Sequence, residues 1–202
     1  MSHKVENIGA KPSGFKGRFS GLMMNARGGG KYEKIIREEI IPKIDIHSRF
    51  SVLDAGCGGG KVVKIFSSIL QDGRICGIDH SPDMVGLSKN VNKKDVLSGK
   101  VEIALAGVNQ LPYHDDRFHI VTAFDTINFW DNADTAFGEI KRVLKEKGSF
   151  YIVNGYPKEG TKWYRFVKFK TGDAYKEALS EQGFKNIDIK IENNTIILRA
   201  GK

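Results

Sequence analysis

The sequence predicts an α/β fold: a doubly wound, mostly parallel sheet of seven strands that ends in an antiparallel β-hairpin. Three observations point there. From residue 50 onward, short apolar runs alternate with segments of helical spacing. The first of these runs opens into a glycine cluster at 56–60, as a strand does when it hands over to a helix through a tight turn. Near the end the period switches to two, with Ile187, Ile189 and Ile191 separated by charged residues.

Each element has its own signal. Residues 50–55 form the first strand, and Val62, Val63, Ile65, Phe66, Ile69 and Leu70 follow at helical spacing. Residues 74–79 form the second strand. Ser81 and Pro82 then supply an N-cap and a first helical position for a helix from Pro82 to about Leu97. Strands are predicted at 101–106 and 118–125. A helix from about Asn132 to Leu144 is expected to stop at Lys147-Gly148, a basic last turn before a glycine. Residues 149–154 make the fifth strand, and 171–182 read as a last helix ending at Gly183. The hairpin turns at Asn193-Asn194 and returns along 195–199.

A chain of 202 residues, 40% hydrophobic and 28% charged, suits one folded domain with a full core. No stretch approaches the roughly 20 apolar residues that cross a bilayer, and Met1 to Arg18 lacks the apolar core of a secretory signal. The two cysteines, Cys57 and Cys76, form no C-x-x-C pair, and the five histidines show no metal-ligand spacing. No disulfide framework and no metal are therefore expected, and the address is a reducing cytoplasm.

The formal charge of +8 is unevenly spread. Residues 1–34 hold seven basic and two acidic side chains, and 157–176 hold six and two, whereas 35–156 hold fifteen and sixteen. The nearly neutral body argues against a general nucleic-acid signature. Segment 1–34 is also glycine-rich, so it either lacks fixed structure or folds over the site as a lid.

The strongest chemical signal is Val52-Leu-Asp-Ala-Gly-Cys-Gly-Gly-Gly60, a strand end with an acid, then glycines opening onto a helix. Glycines admit a ligand close to the backbone, and the helix start presents unpaired N–H groups. In an open parallel sheet, ligands sit outside the carboxyl ends of the strands. Asp79 ends the next strand, nineteen residues after Gly60, where an acid accepts hydrogen bonds from both hydroxyls of a ribose. A dinucleotide fingerprint beginning at Gly56 needs a glycine where Lys61 stands. The carboxylate of Asp54, just before the turn, suits an ammonium better than a pyrophosphate. S-adenosylmethionine, with its adenosine, amine and sulfonium, fits this pattern better than NAD.

From about Ile35 to Ala200 the chain resembles the class I S-adenosylmethionine-dependent methyltransferases of Rossmann-like fold, particularly the small ones with the pattern L-D-x-G-C-G-x-G, here Leu53 to Gly60. Three further motifs follow in order. Gly77-Ile-Asp-His-Ser-Pro-Asp-Met84 holds the second acid. Leu111-Pro-Tyr-His-Asp-Asp-Arg-Phe-His-Ile-Val121 has His119 where an acid is usual. Glu139-Ile-Lys-Arg-Val-Leu-Lys-Glu-Lys-Gly148 completes the series. The resemblance implies S-adenosyl-L-methionine as cofactor and S-adenosyl-L-homocysteine as product. It also implies that Ala55, Gly56, Cys57 and Gly58 line the methionine part, with Asp54 holding its amine. Asp79 would take the ribose, and His80 and Met84 would flank the adenine. One departure stands at Gly107, where the family places an acid for the adenine amino group; the Val108 backbone and Asn109 are the substitutes within reach.

Asp125 to Trp130 follows the fourth strand and so faces the reacting methyl in such a domain, and the resemblance places Asp125 with the cofactor-binding residues. It lacks the D/N-P-P-F/Y/W motif of amino-methylating nucleic-acid enzymes, and neither cysteine follows a proline as in cytosine-C5 enzymes. Phe129 and Trp130 either shape a substrate pocket or pack in the core. The candidates for a general base are His114, His119, Asp125 and Tyr156, none with a distinguishing pattern. Residues 157–170, with Trp163-Tyr-Arg-Phe-Val-Lys-Phe-Lys170, read as an insertion covering the substrate in preference to a nucleic-acid platform. The resulting expectation is methyl transfer to a small molecule, the basic segments favouring an anion at the acceptor or along its access route. The rivals are an RNA or protein acceptor, and a cofactor-binding module without catalysis.

Overall fold

The computed structural model describes residues 29–44 and 50–202. The lid-or-unstructured expectation for 1–34 falls mainly on residues outside this set. Residues 29–34 are within it, and they begin a helix despite Gly29 and Gly30. This helix, α1, spans 29–43 and tightens from a π-helical turn at Ile36–Ile40 to a 3-10 turn at Ile41–Lys43.

Seven strands follow the predicted order: β1 Ser51–Ala55, β2 Arg74–Asp79, β3 Val101–Leu105, β4 Phe118–Phe124, β5 Leu144–Gly155, β6 Lys185–Glu192 and β7 Thr195–Gly201. Across the sheet they run β3-β2-β1-β4-β5-β7-β6. The first five are parallel, and β7 is antiparallel to both β5 and β6. The helices between them are α2 Lys61–Ile69, α3 Pro82–Val91, α4 Lys93–Leu97, α5 Ala133–Val143 and α6 Gly172–Glu181. Because the chain moves outward through β2 and β3 before returning to β4, the crossovers leave β1 and β4 in opposite directions. A crevice opens at their carboxyl ends.

Alternation along the strands feeds two cores. On β5, Phe150 and Ile152 join Phe137, Tyr175 and Leu179 on one face, beneath α5 and α6. Tyr151 and Val153 join Ile36, Ile40 and Phe66 on the other, beneath α1 and α2. Three helices start as their sequences dictate. Ser81 Oγ accepts from Met84 N with Pro82 behind it, Asn132 Oδ1 accepts from Thr135 N, and Thr171 Oγ1 accepts from Ala174 N. Asn193 and Asn194 both take positive φ, 48° and 54°, the two-residue turn that matches the twist of a hairpin.

Two boundaries differ from expectation. The helix predicted to run to Leu97 breaks at Asn92, whose buried amide donates to Gly60 O (3.0 Å) and Ser88 O (2.9 Å). That side chain ties the helix to the glycine turn at the cost of its continuity. The helix after Asn132 ends at Val143, within a residue of the expected Leu144, but β5 begins at once and not after a stop at Lys147-Gly148. Leu144 already pairs with Phe118, and Lys147, at φ 66°, sits in a bulge within the longer β5. Among the described residues no helix is long and apolar enough to cross a membrane.

Phe137 is fully buried, with its ring 5.9 Å from Trp130 and 6.0 Å from both Phe150 and Phe169. Phe137→Ala should therefore lower stability by about 3–5 kcal/mol. In urea unfolding this reads as a lower midpoint at unchanged slope. A loss under about 1 kcal/mol would show that this face is not packed as described.

Candidate functional site

The site begins where β1 stops. Gly56 N and Cys57 N both donate to Ile78 O, at 2.9 and 2.8 Å, so the turn is pinned to β2 as soon as it leaves β1. Gly56 has φ +85°, and a Cβ there would stand 2.9 Å from the Thr126 Cβ. A Cβ on Gly60, at φ +82°, would stand 2.9 Å from the Ser88 backbone. Both positions need glycine for conformation and for space. At Gly58 a Cβ would meet nothing, because that glycine borders a cleft.

The cleft spans about 830 Å³ when the open space at its mouth is counted. One end is bounded by Gly56, Gly58, Ile78 and Asp79, and its side by His80, Ser81 and Met84 at the start of α3. Ala106 and Val108 after β3 close one wall; Phe124, Asp125, Thr126, Phe129 and Trp130 after β4 close the other. Apart from its acids and His80, the lining is largely apolar.

Asp79 is nearly buried, and it joins the loop to the helix. Oδ2 accepts from Gly58 N and Oδ1 from Ser81 N, each at 2.9 Å, while His80 Nδ1 stands 3.6 Å away. A carboxylate has about four acceptor positions, so two remain for a ligand. Asp54, only 1% exposed, points into the sheet, where its Oδ1 accepts from Thr122 Oγ1 at 2.8 Å. Burial pushes its pKa up to about 7, against the lowering effect of the Thr122 hydroxyl, and the charge of Asp79 adds to the rise.

Of the residues assigned to the cofactor from sequence, Gly56, Gly58, Asp79, His80, Met84, Val108 and Asp125 line the cleft. Asp54, Ala55, Cys57, Gly107 and Asn109 do not. Ala55 is buried in the core, the Cys57 thiol lies 3.8 Å from Ser88 Oγ, and Gly107 is exposed. Asn109 keeps a buried carbonyl oxygen with no hydrogen-bond partner. Phe129 and Trp130 both line the cleft: Phe129 is 43% exposed, and Trp130, at 6%, also packs in the core on Phe137 and donates from Nε1 to Thr126 Oγ1.

Among the four base candidates only Asp125 lines the cleft. His119 lies near the opposite end of β4. Its Nδ1 is bonded to Ser51, its ring stacks on Phe50, and burial followed by Lys145 lowers its pKa. His114 is exposed beside Asp115 O, and Tyr156 donates to Lys170 O. Segment 157–170 is fastened beside the cleft, with Lys168 N donating to Asn128 Oδ1 and its ammonium to Trp130 O. None of its side chains is in the lining. Trp163, 63% exposed, packs against Phe166 and Lys162 within the segment itself. Among the described residues no cluster of metal-ligating side chains is present.

Two residues around Asp125 were missed from sequence. Thr126 fills the space beside Gly56, and Tyr32 of α1 donates from its hydroxyl to Asp125 Oδ2 at 2.6 Å. Neither belongs to a local pattern, and a contact spanning 93 residues leaves no trace in spacing.

Residues 53–152 match the family model described as a methyltransferase domain. The chain is 28% identical over 162 residues to a putative methyltransferase, YrhH, of Bacillus subtilis, covering 79% of this chain and 82% of that one. It is 26% identical over 182 residues to the ubiquinone/menaquinone biosynthesis C-methyltransferase UbiE of a Geobacter species, covering 75% and 77%. Over 123 residues it is 28% identical to a sterol 24-C-methyltransferase of Neurospora crassa, of whose length it spans 32%. In fold it is similar to a putative S-adenosyl-L-methionine-dependent methyltransferase of Methanococcus maripaludis, with TM-score 0.75, 20% identity and coverage of 92% and 93%.

The raised Asp54 pKa has a consequence for stability. Below the ordinary aspartate pKa, both folded and unfolded chains hold this carboxyl protonated, and its contribution to stability is intact. As pH climbs from about 4 to about 7 the unfolded chain ionises first, so that contribution drains away, by a few kcal/mol in order of magnitude. Asp54→Asn, which still accepts from Thr122, should remove this part of the fall and be the more stable protein at about pH 8. Urea unfolding across that pH range checks it; identical pH slopes for the two proteins would contradict the assignment.

Proposed function

Because the chain carries a class I S-adenosylmethionine-dependent methyltransferase domain, we propose that it methylates a small, largely apolar molecule held between Phe129, Trp130 and the mouth of the cleft. The observation that carries this reading is the cleft itself. It joins a glycine turn and an acid at the β1–β2 edge to an aromatic wall after β4. Two relatives, named for quinone and sterol methylation, support an acceptor of apolar character.

The residues fit the cofactor. The open side of Gly58 leaves room against the backbone, and Asp79 keeps acceptor positions for a ribose diol. Met84 and His80 form the wall proposed for the adenine, and Asp54 lies behind the turn as the counter-charge proposed for the ammonium. When bound, S-adenosylmethionine supplies a methyl group already activated on a sulfonium. The protein's work is then alignment and exclusion of water, which Phe124, Phe129 and Trp130 perform at the acceptor end. Among the described residues no lysine or arginine lines the cleft, so an anionic group on the acceptor would find its partners in segment 157–170 beside it.

Titration calorimetry with S-adenosylhomocysteine is the direct test. Binding is expected in the micromolar range, with Asp79→Ala weakening it about tenfold or more, equivalent to about 1.4 kcal/mol. No heat at millimolar ligand with folded protein would overturn the reading. The exposed side chains of Lys162, Trp163, Arg165 and Lys170 favour one alternative, an RNA acceptor. RNA binding that falls steeply with salt, beside turnover on RNA, would replace the small-molecule reading.

A further inference from the structure

Asp125 is held in an uncommon way. Its backbone is left-handed, φ 49°, a conformation that costs a non-glycine residue about 1–2 kcal/mol unless its surroundings enforce it. Here three bonds enforce it. Asp125 N donates to Val153 O at 2.7 Å, Gly155 N donates to Oδ1 at 2.6 Å, and Tyr32 OH donates to Oδ2 at 2.6 Å. Each carboxylate oxygen has one fixed donor and retains another acceptor position. The carboxylate is thereby immobilised but not saturated, and it lines the cleft beside Phe124, Phe129 and Trp130.

Its place in the sheet separates it from the nucleoside end. Asp79 terminates β2 and Asp125 follows β4, with β1 between them, so their strand ends stand about 10 Å apart. A fixed carboxylate in aromatic surroundings, two strands from the ribose acid, is a hydrogen-bond acceptor aimed at whatever shares the cleft. Tyr32 suits the role of its keeper. The ring is buried edge-on against Phe124, 5.1 Å between centroids, and burial together with the Asp125 charge lifts the phenol far above its ordinary pKa. It stays a donor at neutral pH and cannot serve as a base.

We propose that Asp125 orients the methyl acceptor by accepting a hydrogen bond from a hydroxyl or amine on or beside the reacting atom, and that Tyr32 is the positioning residue that sets this carboxylate. The acceptor class is thereby narrowed to molecules that carry such an O–H or N–H. Helix α1 becomes part of the site, delivered by its packing on Phe124, Tyr151 and Val153. The proposal rests on the reading of the cleft as the cofactor and acceptor site.

The test needs no knowledge of the acceptor. Sinefungin differs from S-adenosylhomocysteine in bearing a primary amine on carbon where the methyl-carrying sulfur stands, so it places an N–H donor at the transfer position. Calorimetry with both ligands on the full chain, on Tyr32→Phe and on Asp125→Asn gives a preference ratio for each protein. The wild type should favour sinefungin; Asp125→Asn should lose about tenfold of that preference, and Tyr32→Phe several-fold. S-adenosylhomocysteine, which carries no group at the transfer position, gives each protein its own reference affinity, so the ratio cancels any general effect of a substitution on cofactor binding. Phenylalanine keeps the ring on Phe124, and asparagine tolerates the left-handed backbone. A wild type with no preference for sinefungin, or one ratio common to all three proteins, overturns the proposal while leaving the cleft reading intact. Failure of S-adenosylhomocysteine to bind the wild type overturns the cleft reading instead.

Discussion

The site depends on the seam between the glycine turn and the end of β2. Ile78 O takes two N–H groups from Gly56 and Cys57, and Asp79 takes a third from Gly58. Those bonds convert a strand end into a turn whose direction is fixed before α2 begins. The same carboxylate holds Ser81 N, so α3 starts in a defined place relative to the turn. Asn92 repeats the device from the far end of α3 by bonding Gly60 O. One short sequence thus governs the positions of two strands and two helices. Side chains at Gly56 and Gly60 would force these pieces apart.

How much of this was legible follows from the range of each interaction. The succession of strands along the chain and the helix starts were readable because their causes are local. Ser81 with Pro82, Asn132 and Thr171 each cap from within four residues, and the paired asparagines encode a hairpin turn. The break at Asn92 and the start of β5 at Leu144, ahead of the expected 149, were not readable, because a buried amide bond to another segment and a pairing of Leu144 with Phe118 decide them. Within the site the glycine turn and Asp79 stood out for the same local reason. Tyr32, Thr126 and the idleness of His119 emerge only when distant segments meet.

Charge behaves likewise. The excess of basic residues lies outside the neutral body, as their positions in the chain already indicated. What the chain does with them was less visible. Lys168 is spent on fastening its segment to the loop after β4, through Asn128 and the Trp130 carbonyl. Lys190 pairs with Glu39, linking β6 to α1. A basic count therefore overstates the charge free to meet a ligand, and the cleft itself is bordered by acids.

Those acids are the clearest sign that the fold is shaped by a ligand. Stability alone gives no reason to bury Asp54, whose carboxyl accepts one hydrogen bond among the described residues, from Thr122, and whose burial disfavours its own ionisation. Asp79, two positions along the crevice, makes that ionisation harder still. A second carboxylate with a cost of its own, Asp125, is kept in a strained backbone by three bonds, two with β5 and one from Tyr32 of α1. Costs of this kind persist where a bound molecule offsets them. An ammonium near Asp54 and a hydrogen-bond donor at Asp125 are the complementary groups, and the two acids that call for them stand on β1 and just after the neighbouring strand β4.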